Sequence, residues 1–374
     1  MAKNNSDGNL VDISSNTQVI KLYNKKGRVL RIVTLVLSVI FFVTGVVYAV
    51  GYGFLHWGVV DQMKTVETKR VSDSKVTDAN AIKTPQQLDN DSVLNVMLFG
   101  EDDRRGSEYG RTDTMILLSV DSIHKKLKLT SFQRDTYVYI PGGQDDPGRP
   151  DYDKINASYT YGGAELAIKT IETNFGVRID KYAIVDFQGF KDIINKMGGV
   201  EIELNQEEID YINYQMYKNK QVDERYTITE KPGKIKLNGQ EALWYARDRG
   251  LTKGEDGNEI GLQGDDWDRT SRQRKLLETV VGDLKKKDPV TLVNVATSIG
   301  PMITTNMTKD QITLLLTYVS TLVNYEVVQN YVPQQNLWYY NSPGDKSWDT
   351  SGSCIMITDM KAQREALAEF IYEY

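Results

Sequence analysis

Residues Ile32 to Leu55 (IVTLVLSVIFFVTGVVYAVGYGFL) carry no charged side chain. A helix of that length spans the ~30 Å hydrocarbon core of a bilayer. The run has no polar face, so it does not fit a helix lying half-buried on a soluble core. It starts too far from the N-terminus, and runs too long, for a cleaved signal peptide, and no A-x-A-like site follows. Lys21, Lys25, Lys26, Arg28 and Arg31 precede it. Positive charge stays on the cytoplasmic side, which predicts a short inner tail and a large exterior part.

The expected organisation is therefore a cytoplasmic tail (1–31), a single transmembrane helix (32–55), a polar stalk (56–91) in which some helix is expected, a main domain (92–287) and a C-terminal extension (288–374). The tail holds six basic and two acidic residues, a net of +4, against −6 for the whole chain. The exterior thus carries about −10, which argues against nucleic acid as a partner. A tail of some thirty residues also has no room for a helix-turn-helix domain. Cys354 is the single cysteine, so no internal disulfide can form, a pattern that suits the surface proteins of Gram-positive bacteria.

Beyond Ser92 the hydrophobic pattern alternates between strands and helices. Val93–Phe99, Thr114–Val120, Leu127–Phe132, Tyr182–Phe187 and Val200–Leu204 read as strands. Ala164–Phe175, Phe190–Met197, Gly239–Arg247, Arg269–Leu284, Asp310–Val323 and Met360–Tyr374 read as helices, the first two closed by Gly176 and Gly198. This alternation predicts a mixed sheet with helices on its faces. The aromatic segment Pro333–Gly352 reads as a loop. Trp338, Tyr339, Tyr340 and Trp348 within it suit either sugar stacking or packing of the extension onto the core.

Within this frame, arginines and aspartates converge. Asp121–Lys126 is a short polar turn, so the second and third strands form a hairpin. Counting outward from its centre places Asp113 opposite Arg134 at one end of the sheet. Asp102 follows the first strand and joins that edge if the strand neighbours the hairpin. The apolar stripe Leu276, Leu277, Val280 and Leu284, extended backwards, turns Arg269, Arg272 and Gln273 inward. Buried guanidinium needs an anion or a carboxylate. Arg247 and Arg249 point the same way if the backbone between them is extended, and two guanidinium forks suit a pyrophosphate. Taken singly, Asp113–Arg134 equally suits a structural ion pair, and the Arg247–Arg249 segment a solvated loop. Taken together with Asp266, the set points to phosphate held by arginine, with acids to carry a divalent metal. His56 precedes the stalk and His124 lies in the hairpin turn, so no histidine base is offered.

Several blocks occur in order: LFGEDDR, RTDT, QRDT, KINASY, VDFQGF, GGVEI, LNGQEALWYARDR and DRTSRQR. In order and spacing they resemble the LytR-CpsA-Psr family, from about Val93 to Leu284. The resemblance implies an α/β/α sandwich with a mixed central sheet. It also implies an extracellular transferase that moves a glycopolymer, such as wall teichoic acid or capsule, from an undecaprenyl-pyrophosphate carrier to peptidoglycan. By motif, Asp102 and Asp113 would bind magnesium or manganese. Arg111, Arg134, Arg247, Arg249, Arg269 and Gln273 would contact the phosphates, and Asp266 would orient the arginines. Asp113, Arg134, Arg249 and Asp266 would carry the catalysis. The chain departs from the family pattern at Gln133, where proline is common, and in the acidic, glycine-rich segment 250–265. A polyprenyl-phosphate-binding regulator and a lipid-carrier pyrophosphatase are the competing readings.

Overall fold

The computed structural model describes residues 64–66, 92–102, 110–142, 151–221, 227–248, 252–253, 259–260, 266–322, 324–341 and 354–373. All of these lie in one compact unit, Leu55–Tyr374. The expected transmembrane run falls outside the described residues. Among those described, no helix is long and apolar enough to cross a membrane.

In chain order the elements are β1 (Lys64–Thr65), β2 (Val93–Asp102), β3 (Arg111–Asp121), β4 (Lys126–Phe132), β5 (Tyr137–Tyr139), β6 (Tyr152–Lys154), α1 (Ala157–Phe175), β7 (Lys181–Asp186) and α2 (Phe187–Lys196). Then come β8 (Val200–Leu204), α3 (Gln206–Lys218), β9 (Gly233–Leu237), α4 (Gly239–Arg247), β10 (Thr252–Lys253), β11 (Glu259–Ile260) and α5 (Asp266–Lys285). The C-terminal part holds α6 (Pro289–Ile299), β12 (Thr304–Thr305), α7 (Lys309–Leu322), β13 (Glu326–Val332), β14 (Trp338–Tyr340), β15 (Ile355–Ile357) and α8 (Met360–Tyr372).

The central sheet has seven strands in the order β1-β12-β7-β2-β3-β4-β13. It is mixed: β2 and β7 run parallel, as do β4 and β13, while β3 is antiparallel to both of its neighbours. The stalk contributes strand rather than helix in its described part, since Lys64 and Thr65 pair with Thr304 and Thr305.

Alternation along the strands sorts side chains to two faces. Met97, Phe99, Met115 and Leu117 pack with Ala167, Ile171 and Phe175 of α1 and Leu367 and Ile371 of α8, all buried. On the other face Leu98, Ile116, Ala183 and Val185 look into a cavity walled by α2, α4 and α5. A second core lies beyond, built from Val200, Ile202, Ile209, Ile212, Leu237, Ala242 and Leu276. The expected α/β/α arrangement is thus observed.

Two helices start in capping boxes, Asn205 with Glu208 for α3 and Asn238 with Glu241 for α4. The first of these signals (Asn-x-x-Glu before a periodic run) marks α3, which the periodicity reading above did not include. At the start of α4, a Cβ on Gly239 would clash with the Lys191 carbonyl oxygen, so only glycine lets α4 meet α2 this closely. The segment 333–352 is not all loop: Trp338–Tyr340 pairs antiparallel with Ile355–Ile357.

Candidate active site

The β3–β4 register runs from Asp121 opposite Lys126 to Ile116 opposite Ser131. Continued past its end, it sets Asp113 against Arg134, and the Arg134 Nη1 donates to Asp113 Oδ1 at 2.7 Å. The hairpin count from sequence therefore predicts a contact that the structure makes.

A feature the count does not contain decides which face Asp113 occupies. Between β2 and β3 the pairing passes from Gly100–Thr114 to Glu101–Thr112, so Asp113 is the extra residue of a β-bulge. A bulge resets the alternation of a strand and re-aims a side chain. Asp113 consequently lines the same cavity as Thr114 and Ile116, instead of following Met115 and Leu117 into the α1 core. Thr112, fully buried, fastens the bulge: its hydroxyl lies 3.1 and 2.8 Å from the carbonyl oxygens of Gly100 and Thr114 and donates its one proton between them. Gly100 completes it, because a Cβ there would sit 2.9 Å from Thr114 Cβ. Asp102 and Arg111 are direct cross-strand partners and both line the cavity.

The first turn of α5 brings Asp266 and Arg269. Arg269 is 1% exposed, and its Nη2 lies 2.9 and 3.0 Å from the two Asp266 oxygens and donates to the Asp113 carbonyl at 3.2 Å. Arg134 Nε lies 3.2 Å from Asp266 Oδ1 and 3.5 Å from Asp135 Oδ2. Asp113 and Asp266 thus hold Arg134 and Arg269 side by side. Burial works against the charge of Arg134, but Asp266, Asp113 and Asp135 overcome it and raise the guanidinium pKa above its ordinary value.

The other inward residues of α5 divide. Gln273 lines the cavity and donates to the Ala246 carbonyl at 3.3 Å. Arg272, expected to await an anion or a carboxylate, meets carboxylates: Nε lies 3.3 Å from Glu208 and Nη2 3.5 Å from Asp248. Its Nη1 also donates to the Asp248 carbonyl at 3.0 Å, which pins the chain where it leaves α4. Asp248 has left the helical conformation (φ −59°, ψ 125°). The Arg247 guanidinium lies 4.7 Å above the Phe187 ring and 5.2 Å from Trp244, and it lines the cavity. Arg249 lies outside the described residues.

The cavity has a volume of about 860 Å³. Asp102, Arg111, Asp113, Arg134, Arg247, Arg269 and Gln273 sit at its polar end, while Phe187, Phe190, Ile193, Leu276, Leu277 and Val280 line an apolar remainder. Such an amphipathic slot fits a ligand with an anionic head and a hydrocarbon tail. Asp102 and Asp113 are hard oxygen donors on adjacent strands, a donor set that suits a small divalent ion keeping several waters. A different grouping, Asp121 with His124 and Glu373, lies at the far end of the hairpin. There the Lys128 ammonium stands 2.8 Å from Asp121 and 3.1 Å from Glu373, so a buried cation of the chain itself occupies the place.

Gln133, where the family often has proline, has two uses that sequence did not signal. Its backbone N–H donates to the Val332 carbonyl at 2.9 Å, and its side-chain amide donates to Thr270 Oγ1 at 2.8 Å. It ties the end of β4 to β13 and to the helix carrying Arg269.

The LytR_cpsA_psr family model matches residues 58–352. Over 189 residues the chain is 34% identical to the polyisoprenyl-teichoic acid–peptidoglycan teichoic acid transferase TagV of Bacillus subtilis, covering 50% of this chain and 43% of that protein. Over 230 residues it is 35% identical to the transferase of the same description, TagU, of Enterococcus faecalis, covering 61% of this chain and 63% of the other. The chain therefore spans less than two thirds of the length of either relative. Among solved structures, TagT bound to LIIa-WTA superposes with a TM-score of 0.56 at 21% identity, over 82% of this chain and 99% of the other. TagT with bound octaprenyl pyrophosphate lipid gives 0.53 at 19% identity, over 82% and 98%. These structures share the fold.

Proposed function

The chain belongs to the LytR-CpsA-Psr family, and on that footing we propose that it transfers an anionic glycopolymer from a polyprenyl-pyrophosphate carrier to peptidoglycan. The observation that carries this reading is the two-ended cavity: paired arginines and carboxylates at one end, an aromatic and aliphatic slot at the other. The names of TagV and TagU, as teichoic acid transferases, support it.

In this reading the run Ile32–Leu55 anchors the chain in the membrane and the domain faces outward, where both carrier and acceptor are reached. The lipid tail occupies the slot between α2 and α5. The pyrophosphate lies against Arg111, Arg134, Arg247, Arg249 and Arg269. A sugar hydroxyl of the acceptor attacks the phosphorus that bears the polymer. The new oxygen–phosphorus bond forms as the bond to the bridging oxygen breaks, and polyprenyl phosphate leaves with the electron pair. The hydroxyl proton passes to a carboxylate of the site or to water. Phosphoryl transfer asks the protein mainly for position and charge neutralisation. Arg134 and Arg269, already desolvated and fixed by Asp113 and Asp266, need little reorganisation as charge builds on the leaving oxygen. Asp102 and Asp113 would hold magnesium or manganese, which would supply further charge neutralisation at the phosphates.

The test uses the full chain in detergent with a lipid-pyrophosphate-linked oligosaccharide, peptidoglycan oligomers and magnesium, and looks for a phosphodiester-linked product by mass spectrometry. Product that disappears with EDTA and with Arg249→Ala supports the transferase. Free phosphosugar without linkage would make the chain a pyrophosphatase, and tight lipid binding without turnover would make it a binding regulator.

A further inference from the structure

Two small hairpins join edge to edge beside the paired arginines. β5 and β6 form one, β14 and β15 the other. Thr136 bridges Ile355 in parallel fashion, and the Ile355 N–H donates to the Asp135 carbonyl at 2.9 Å. Cross-strand partners share a face, so the register sorts the side chains. Thr136, Val138 and Ile355 face inward and are buried. The opposite parity turns Tyr137, Tyr139, Tyr152 and Tyr339 outward.

The two hairpins concentrate exposed aromatic surface. Of the nine exposed large hydrophobic residues among those described, four (Tyr152, Tyr161, Tyr339 and Tyr340) lie on these hairpins or reach them, Tyr161 through a hydrogen bond to Asp153 at 2.7 Å. The Tyr137 and Tyr152 rings are near parallel at 6.0 Å and 19°, with Tyr139 set edge-on at 5.4 Å from Tyr152. Exposed aromatics gathered into a patch mark an interaction surface, whereas scattered ones do not.

The patch borders the reaction centre through Lys154, which shares the face of Tyr137 and lies 2.9 Å from Asp135, itself 3.5 Å from Arg134 Nε, and the other face of the second hairpin reaches the centre as well. Tyr340 packs on Trp338, whose ring stacks on Trp267 at 4.8 Å, and the Trp267 indole N–H donates to the Tyr340 hydroxyl at 3.1 Å. Trp267 directly follows Asp266, the carboxylate between Arg134 and Arg269. Trp267 also meets Tyr331 of β13 at 5.4 Å, which puts the patch on the β4–β13 flank. The apolar slot lies on the β2–β7 flank. The phosphate site therefore has lipid-fitting surface on one side and aromatic surface on the other.

Charge selects the occupant. On this face Lys154, the cross-strand partner of Tyr137, is paired with Asp135 at 2.9 Å, so the pair offers no net charge. A polyanion such as a teichoic acid is not favoured by that balance, nor is an anionic membrane. A chain of uncharged pyranose rings is, because its C–H faces stack on aromatic rings without asking for counter-charge. We propose that the face of Tyr137, Tyr139, Tyr152 and Tyr339 docks the glycan strand of peptidoglycan that accepts the polymer. This rests on the transferase reading above.

The experiment measures binding of the full chain in detergent to four probes: defined peptidoglycan glycan oligosaccharides freed of peptide with their lactyl carboxyls capped as amides, a soluble teichoic acid fragment, a short-chain polyprenyl pyrophosphate, and phosphatidylglycerol vesicles. Tyr152→Ala combined with Tyr339→Ala is expected to weaken the glycan oligosaccharide at least ~10-fold, equivalent to about 1.4 kcal/mol. Affinity for the pyrophosphate and the unfolding temperature should stay unchanged, and the corresponding double Phe variant should keep most of the glycan affinity. Unaltered glycan affinity in the double Ala variant overturns the proposal. So does a loss seen with the teichoic acid fragment or the vesicles instead of the glycan. A wild-type chain that binds glycan but not polyprenyl pyrophosphate would sink the transferase reading itself; one that binds the lipid but not the glycan would sink only the docking surface.

Discussion

Arg134 donates to Asp113 at 2.7 Å although the last paired residues of their two strands are Ile116 and Ser131. The contact is made past the end of the ladder, where a bulge has turned Asp113 toward the cavity and Asp266 approaches Arg134 from α5. Asp113 thereby serves one arginine with its carboxylate and the other with its carbonyl.

That double use separates an enzyme from a binder. Asp113→Ala removes one candidate metal donor and one partner of Arg134, but Asp266 and Asp135 still neighbour the guanidinium. Transfer should fall by about 10²–10³-fold, the range for losing one group that stabilises developing charge. Affinity for polyprenyl pyrophosphate should change little. Turnover assays alongside lipid titration check it, and near wild-type turnover would remove Asp113 from the chemistry.

Asp266→Asn attacks stability first. Arg269 is 1% exposed, and its Nη2 is held by the Asp266 carboxylate. Breaking one side of a buried pair strands the other charge and costs about 3–5 kcal/mol. Chemical denaturation of the variant should show that loss. Added pyrophosphate should return part of it, because an anion bound only by the folded state replaces the missing charge. A variant as stable as the parent would mean that Asp113 alone suffices to hold both arginines.

Much of this arrangement is legible in the sequence because it follows from periodicity. The hairpin centre between Ile123 and His124 fixes Asp113 against Arg134, and the Leu276–Val280 stripe extended backwards finds the buried Arg269 and Gln273. What escapes is anything that breaks a period or depends on a distant partner. The bulge at Asp113 changes the face by one residue, and only the step from Gly100–Thr114 to Glu101–Thr112 across two strands reveals it. Arg272 shows the same stripe as Arg269, yet its partner is Glu208, sixty-four positions away, whose other oxygen caps α3. Trp338–Tyr340 looks like loop until Ile355–Ile357 returns to pair with it.

Gln133 offers a third prediction. Proline at this position would delete the N–H that donates to Val332 and the side-chain amide that donates to Thr270. Each bond contributes roughly 0.5–1.5 kcal/mol, and a stranded buried acceptor costs more. Gln133→Pro should therefore lower the unfolding free energy by about 1–3 kcal/mol, while the Arg134–Asp113 pair, built from side chains, persists. Denaturant midpoints read the first effect and turnover at low temperature the second. A variant equal to the parent in stability would show that this chain tolerates the family's usual residue without compensation.

The far end of the same hairpin sets the acid limit of the fold. Lys128, with no exposed surface, donates to Asp121 at 2.8 Å and to the Ile371 carbonyl at 2.7 Å, fastening α8 to the sheet. Burial alone would raise the Asp121 pKa. Lys128 and the N–H and ring of His124 outweigh it and bring the carboxyl from 3.8 down to about 2. A depressed carboxyl pKa contributes stability that is fully present above the unfolded value and is lost as pH falls through the folded one. The window is therefore from about pH 4 down to about pH 2, with a loss on the order of 2 kcal/mol. Glu373, lowered by its hydrogen bond from Lys126, adds in the same direction. Unfolding free energies measured across that range should fall with acid in the parent and more shallowly in Asp121→Asn, which begins less stable because Lys128 has lost its partner. Equal slopes in the two proteins would assign the acid sensitivity to other carboxylates.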